Sequence, residues 1–258
     1  MKLVRYIALA TGQGRRDAMD RIREGRVTVN GEPAESATRD VVPGRDRVVV
    51  DGKRARFSGH VHLVMYKPRG VVCTRSDPEG RPTIYDLLKP RHSQAASVGR
   101  LDFDTTGVLL FTTDGELAQS LERPSSGARR VYRVKVRGEV TDGALETWRR
   151  GFSMDGRRTR PAVVERMSAD PRGAIVRVVL QEGMNRQIHR MAEAAGLTAV
   201  KIHRTSFAGI TAEGLAPGEY RELSSREVDG LLRGGIHPRQ AGEVAPGRAR
   251  PRDHRRRR

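Results

Sequence analysis

The chain holds one cysteine, Cys73, in 258 residues, which excludes a disulfide framework and any cysteine-rich zinc site. Its seven histidines, at 60, 62, 92, 189, 203, 237 and 254, show no zinc-type spacing with Cys or Glu. No apolar run approaches the ~20 residues that cross a bilayer. No apolar stretch follows Lys2 and Arg5 to make a secretory signal. There is no glycine-rich phosphate loop, helix-turn-helix or zinc-finger pattern. Aromatics are 4% and hydrophobics 36%, lean but sufficient for a core in a chain of this length. These absences point to a cytoplasmic protein with no membrane segment, no metal and no nucleotide cofactor.

Positive charge is what the chain has in excess. Lys and Arg number 49 against 31 Asp and Glu, a formal net charge of +18, and only six of the basic residues are lysine. Residues 1–60 carry 13 basic and 8 acidic side chains. Residues 237–258 carry eight arginines against Glu243 and Asp253. Their ending, RPRDHRRRR, has no apolar face and reads as a disordered basic tail. Charge on this scale asks for a polyanion, most simply nucleic acid.

Leu3, Val4, Ile7 and Ala8 recur at helical spacing until Gly12 and Gly14 break the pattern. RRDAMDRIREG predicts a second helix with Ala18, Met19 and Ile22 on one face and Gly25 at its end. VTVNG and RVVVDGK are short strands entering Asn30-Gly31 and Asp51-Gly52 turns. Arg15, Arg16, Arg23 and Arg26 rim the second helix as candidate RNA-binding residues. Residues 54–60 read as a linker. Beyond it, HLVMYKPRGVVC is a strand broken by Pro68 and Gly70, and a short helix is predicted around Ile84–Leu88. GVLLFTTDG, VYRVKVRGEV, AIVRVVLQEG and, last, AVKIHRTSFAGI read as strands. DGELAQSLERP, ALETWRRGF and NRQIHRMAEAAG read as helices. Without regular βαβ alternation, the pattern predicts an α+β protein with a mixed, mostly antiparallel sheet. The boundaries are a small N-terminal domain over 1–56, a larger domain over 61–232 and the tail over 237–258.

The most informative segment is VGRLDFDTTGVLLFTTDG, residues 98–115. Asp102 falls in a loop that the following apolar strand holds rigidly, and Arg100 beside it can bind a phosphate bidentately. Alone, one loop aspartate is more often a turn former. The whole string, however, resembles the catalytic motif of the ribosomal-RNA pseudouridine synthases, single-site branch. YKPRGVV, RRVYRV, EGMNRQIHRM, KIHRTSFAGI and LAPGEYREL resemble further motifs of that family in its order. GRRDAMDRIREGRVTVNG and VVVDGK resemble the RNA-binding domain first known from a small-subunit ribosomal protein, with Gly14 where that domain usually has serine.

The resemblance implies a pseudouridine synthase catalytic domain and conversion of one uridine in ribosomal RNA, large subunit more than small. It implies that Asp102 is the nucleophile, Arg100 displaces the target base, Tyr132 stacks on the uracil and Ile202 packs under it. Arg130, Asn185, Arg186, Gln187 and Arg190 are implied RNA contacts. The partner is ribosomal RNA or a pre-ribosomal particle, and the chain is expected to be a monomer. His189 departs from the family, which places Arg or Lys there to pair with the catalytic carboxylate. Histidine can do this fully only while protonated. A non-catalytic RNA-binding or ribosome-assembly factor on the same scaffold is the alternative that His189 leaves open.

Overall fold

The computed structural model describes residues 1–170 and 172–234; the basic segment at 237–258 lies outside them. The chain begins with α1 (Leu3–Thr11) and α2 (Arg15–Arg23), then β1 (Val27–Val29), β2 (Glu32–Pro33), β3 (Val48–Val50) and β4 (Lys53–Arg54). Gly12, left-handed at φ 72°, ends α1 by donating its N–H to the Ala8 carbonyl. At the start of α2, Gly14 offers no side-chain cap, and the Asp17 carboxylate accepts the Gly14 N–H at 3.0 Å instead. Asn30-Gly31 and Asp51-Gly52 have positive φ at both positions, the geometry of tight hairpin turns. Leu3, Ile7, Ala18, Ile22, Val27, Val48 and Val50 close a core of their own. The predicted linker is partly structured, since Arg54 belongs to β4 and Ala55 is buried in this core.

The larger part runs through β5 (His62–Lys67), β6 (Ala96–Val98), β7 (Thr106–Thr112), α3 (Gly115–Glu122), β8 (Arg130–Arg137) and α4 (Asp142–Arg150). It continues with β9 (Ser153–Met154), β10 (Arg157–Arg158), β11 (Val163–Asp170), β12 (Gly173–Leu180) and α5 (Gln187–Ala194). It ends with β13 (Thr198–Phe207), β14 (Ile210–Thr211), β15 (Tyr220–Glu222) and α6 (Ser225–Leu232). Its main sheet has the order β11-β12-β8-β13-β7-β5-β15, with β14 on β13 and β6 on β7. The β13–β7 pair is parallel and its other strand pairs are antiparallel, so the sheet is mixed and mostly antiparallel as expected.

Alternation along each strand gives the sheet two cores. Leu109, Phe111, Tyr132, Val134, Val176 and Ile202 pack on one face with Leu145 and Trp148 of α4 and Ile188 and Met191 of α5. Val64, Val108, Leu110 and Phe207 pack on the other with Leu117 and Leu121 of α3 and Leu231 of α6. The helix predicted at Ile84–Leu88 is instead a succession of turns. There Thr83 and Asp86 hold each other's backbone and Leu88 N–H bonds the Tyr85 carbonyl. The segment read as one last strand folds back at Ala208-Gly209, both at positive φ, into β13 and β14, and β15 follows.

The small module docks on the large one. Arg5 reaches the Thr113 carbonyl at 3.4 Å and the Asp114 carboxylate at 3.6 Å, and Gln94 donates to the Gly12 carbonyl at 3.1 Å. At the far end, Glu227 closes α6 onto β15. It accepts two bonds from Arg221, at 2.9 and 2.8 Å, and the Ser224 N–H at 2.8 Å. The Arg221 hydrogen bonds, ahead of the opposing effect of burial, hold its carboxyl down at about 2. Because the folded form is the more acidic, this carboxylate contributes stability at pH above its ordinary 4.5 and loses it as pH falls toward 2. The parent's acid unfolding should therefore steepen through that window relative to Glu227→Gln. Superimposable stability–pH curves for the two would refute the assignment.

Candidate active site

The loop 99–105 enters from β6 and leaves into β7, and three side chains hold it. Gly99, at φ 70°, donates its N–H to Glu122 at 2.6 Å. Leu101 is buried and its N–H faces the Cys73 sulfur at 3.4 Å. Lys67, fully buried where Pro68 stops β5, donates to the carbonyls of Pro68, Asp102 and Thr105 at 3.0, 3.1 and 3.0 Å. Burial pushes the Lys67 ammonium below its ordinary pKa, against the pull of Cys73, Asp104 and Asp102. Burial also pushes the Cys73 thiol up. Cys73 is therefore a poor nucleophile near neutral pH, and the loop itself carries two carboxylates, Asp102 and Asp104.

Asp102 lies in the wall of a cleft of about 700 Å³. Tyr132 of β8 and Ile202 of β13 line it, with Leu180 and Ile188. The two strands pair Tyr132 with Arg204 and Val134 with Ile202, so Tyr132 and Ile202 present the same face. Arg100 is exposed at the cleft. The geometry thus gathers a carboxylate, a flat ring, an aliphatic wedge and an exposed cation around one hollow. That set can hold a planar base and attack or deprotonate the sugar attached to it.

His189 sits behind the acids. Its Nε2 lies 3.7 Å from the Asp104 carboxylate, and its side chain is 12% exposed. The ligating atoms of Asp102, Asp104 and His189 all lie within 4.8 Å of one another. The Nε2 is buried without a hydrogen-bond partner, so a proton there would have two carboxylates to face. The same three groups are the ones a divalent cation could use, a grouping the tertiary fold makes and sequence spacing does not reveal.

The expected RNA contacts divide. Arg15 and Arg16 are exposed at the start of α2. Arg23 faces Asp20 at 3.5 Å, and Arg26 bonds Asp51 at 2.6 Å and Glu24 at 2.9 Å. Asn185 and Arg186 are exposed in the turn before α5, with Arg186 left-handed at φ 48°. Gln187 is buried instead, donating to Glu182 at 3.0 Å and accepting the Met184 N–H. Arg190 grips Asp155 at 2.7 and 2.9 Å, tying α5 to the β9–β10 hairpin. Arg130 lies in the cleft wall, with its guanidinium on the Ala128 and Leu121 carbonyls and over the Phe207 ring.

Sequence reasoning gave no role to Lys67, Asp104 or Arg204. Arg204 is 2% exposed, lines the cleft and lies over Phe207. Its Nε donates to the Val108 carbonyl at 2.7 Å where β7 diverges from β13, and one terminal nitrogen has no partner. Its place two residues after Ile202, on the same strand face, was the available signal.

A cleft of this composition can seat a planar base beside a carboxylate, as an enzyme acting on a nucleoside requires. The sequence pattern of the RNA pseudouridylate synthase family matches residues 61–194, and the chain belongs to that family. It is 42% identical over 241 residues to ribosomal large subunit pseudouridine synthase B of Pseudomonas aeruginosa, covering 88% of this chain and 61% of that protein. The protein of the same name from Bacillus subtilis is 35% identical over 232 residues, covering 89% of this chain and 95% of that one. A solved structure described as a pseudouridylate synthase superimposes with a TM-score of 0.63 at 28% identity, covering 90% of this chain and 99% of that one.

The close parallel pairing of β7 with β13 sets the position of both cleft walls. Gly107 stands at φ 110°, and a Cβ there would lie 2.2 Å from the Arg204 carbonyl oxygen. Gly107→Ala combines a disfavoured backbone with a backbone clash, and should destabilise the fold by about 2–4 kcal/mol. Thermal unfolding measures this, and a melting temperature equal to the parent's would show that the strands separate freely.

Proposed function

We propose that this chain isomerises a uridine of large-subunit ribosomal RNA to pseudouridine. The observation that carries the reading is the Asp102 carboxylate in a cleft also lined by Tyr132, Ile202 and Arg100. The target base leaves its stack, Tyr132 stacks on one of its faces, and Ile202 packs against the other; stacking on one base contributes ~1–3 kcal/mol. Arg100, at the rim, takes the space the base vacates. The bond from ribose C1′ to uracil N1 breaks, the uracil turns, and a bond from C1′ to C5 forms as C5 gives up its proton and N1 gains one. Asp102 supplies the carboxylate this exchange needs. The reaction is redox-neutral and consumes nothing, so it calls for no cofactor.

In this reading residues 1–56 are an RNA-binding domain that presents Arg15 and Arg16 to phosphates, with 61–232 the catalytic domain. The basic tail at 237–258 adds phosphate contacts. The chain works in the cytoplasm as a monomer, on ribosomal RNA or its precursor particle.

Asp102→Asn keeps the size of the side chain and removes its charge. The variant should fold, bind RNA and form no pseudouridine. Turnover by a preparation free of the parent enzyme would overturn the assignment.

His189 is the basic side chain beside the acids of the loop, 3.7 Å from Asp104 and grouped with Asp102. In this reading it positions the two carboxylates for the reaction, a task a guanidinium can also perform. His189→Ala should slow the single-turnover rate, and His189→Arg should retain most of it. An alanine variant as fast as the parent would exclude His189 from the role.

A further inference from the structure

The main sheet is covered unequally. On the face away from the cleft, α3 and α6 cover the half built from β7 and β5. The half built from β12, β8 and β13 is open there, and it is basic. Arg133, Lys135 and Lys201 are exposed on it, with Arg177 and His203 half-exposed among them. The registers put these charges side by side. Lys135 stands opposite Lys201 and Arg133 opposite His203 in the β8–β13 pair, and Arg133 opposite Arg177 in the β8–β12 pair. Neighbouring strands lie ~5 Å apart and alternate residues ~7 Å apart, so five basic side chains share a patch two to three residues long.

Acidic compensation is slight. Glu165 pairs with Arg177 at 2.8 Å. Among the described residues, Arg133, Lys135 and Lys201 have no carboxylate within 4.0 Å. Burial, and then repulsion by Lys201 and Arg133, hold the His203 imidazole below its usual pKa. Like charges directly opposite on a sheet are destabilising. The arrangement is therefore unfavourable for the free protein and favourable once a polyanion lies across it.

We infer that this open half-face binds the phosphates of an RNA segment other than the one that presents the target uridine. The cleft residues Tyr132 and Ile202 alternate with Arg133 and Lys201 along the same strands, so the two surfaces look in opposite directions. One stretch of duplex cannot lie on both, and the substrate must fold around the edge of the sheet to reach the second. The occupant is RNA rather than an acidic peptide because the patch offers exposed cations in rows along adjacent strands, the arrangement that a string of phosphates complements. The inference rests on reading the chain as an RNA-modifying enzyme.

The test uses the full chain carrying Arg133→Ser, Lys135→Ser and Lys201→Ser together, all exposed positions. A control removes equal charge from exposed residues elsewhere, as Lys89→Ser, Arg91→Ser and Arg226→Ser. Binding to a large-subunit ribosomal RNA transcript is measured over a series of salt concentrations. Single-turnover product formation is followed with saturating enzyme on a short fragment that the parent modifies. The patch variant should bind the long transcript roughly tenfold more weakly at physiological salt, with a salt slope shallower by about two to three. Its single-turnover rate on the fragment should equal the parent's, and the control should bind as the parent does. Unchanged affinity and slope would overturn the inference, and so would an equal loss in the control, which would make the effect one of bulk charge. A parent that forms no pseudouridine speaks against the enzymatic reading, whereas a patch variant indistinguishable from an active parent speaks against this one.

Discussion

The ammonium of Lys67 is buried in the sheet and bonded to three carbonyls, two of them in the loop that carries Asp102. A buried charge is tolerated only when its donors are satisfied. The requirement runs both ways: the loop must keep its carbonyls turned inward, and that turns the Asp102 side chain toward the cleft. The end of β5, the loop 99–105 and the start of β7 thereby act as one rigid unit. Gly107 continues it by letting β13 approach closely enough for Arg204 to bond Val108. Preorganisation of this kind matters for a reaction whose reacting atoms must be held in line while a base rotates.

The cleft separates its charges. Arg130 and Arg204 are buried on one side, held by carbonyls and stacked on Phe207 rather than paired with acids. Asp102 and Asp104 are grouped with His189 instead, whose Nε2 lies 3.7 Å from Asp104. The carbonyl bonds and the phenyl ring of Phe207 fix both arginines in place.

The small module contributes through its position as well as its basic rim. Arg5 bonds the Thr113 carbonyl and faces Asp114, the residue that caps α3. Asp114 is held below its ordinary pKa by the α3 backbone amides together with His60 and Arg5, against the opposing effect of burial. One carboxylate therefore orders a helix start and anchors the neighbouring module. This contact ties the placement of Arg15 and Arg16 to the sheet that bears the cleft.

The local alphabet was legible in the sequence. Alternation in VYRVKVRGEV, helical spacing in NRQIHRMAEAAG and the Asn30-Gly31 and Asp51-Gly52 turns depend on neighbours a few residues away, and each folds as its pattern implies. Motif resemblance likewise singled out Asp102, Tyr132 and Ile202, which the fold brings to one cleft. What sequence could not supply were facts that depend on distant strands. Ile84–Leu88 has helical spacing, yet hydrogen bonds from Thr83 and Asp86 bend it into turns. Gln187 and Arg190 look like RNA contacts in a linear motif, but Glu182 and Asp155 claim them. Lys67, Asp104 and Arg204 acquire their roles only because β5, β7 and β13 converge, and the basic half-face exists only through the register of three strands. Short-range propensity is written in consecutive residues, whereas the partner of a buried charge is decided by which chain segments the fold brings within a hydrogen bond of it.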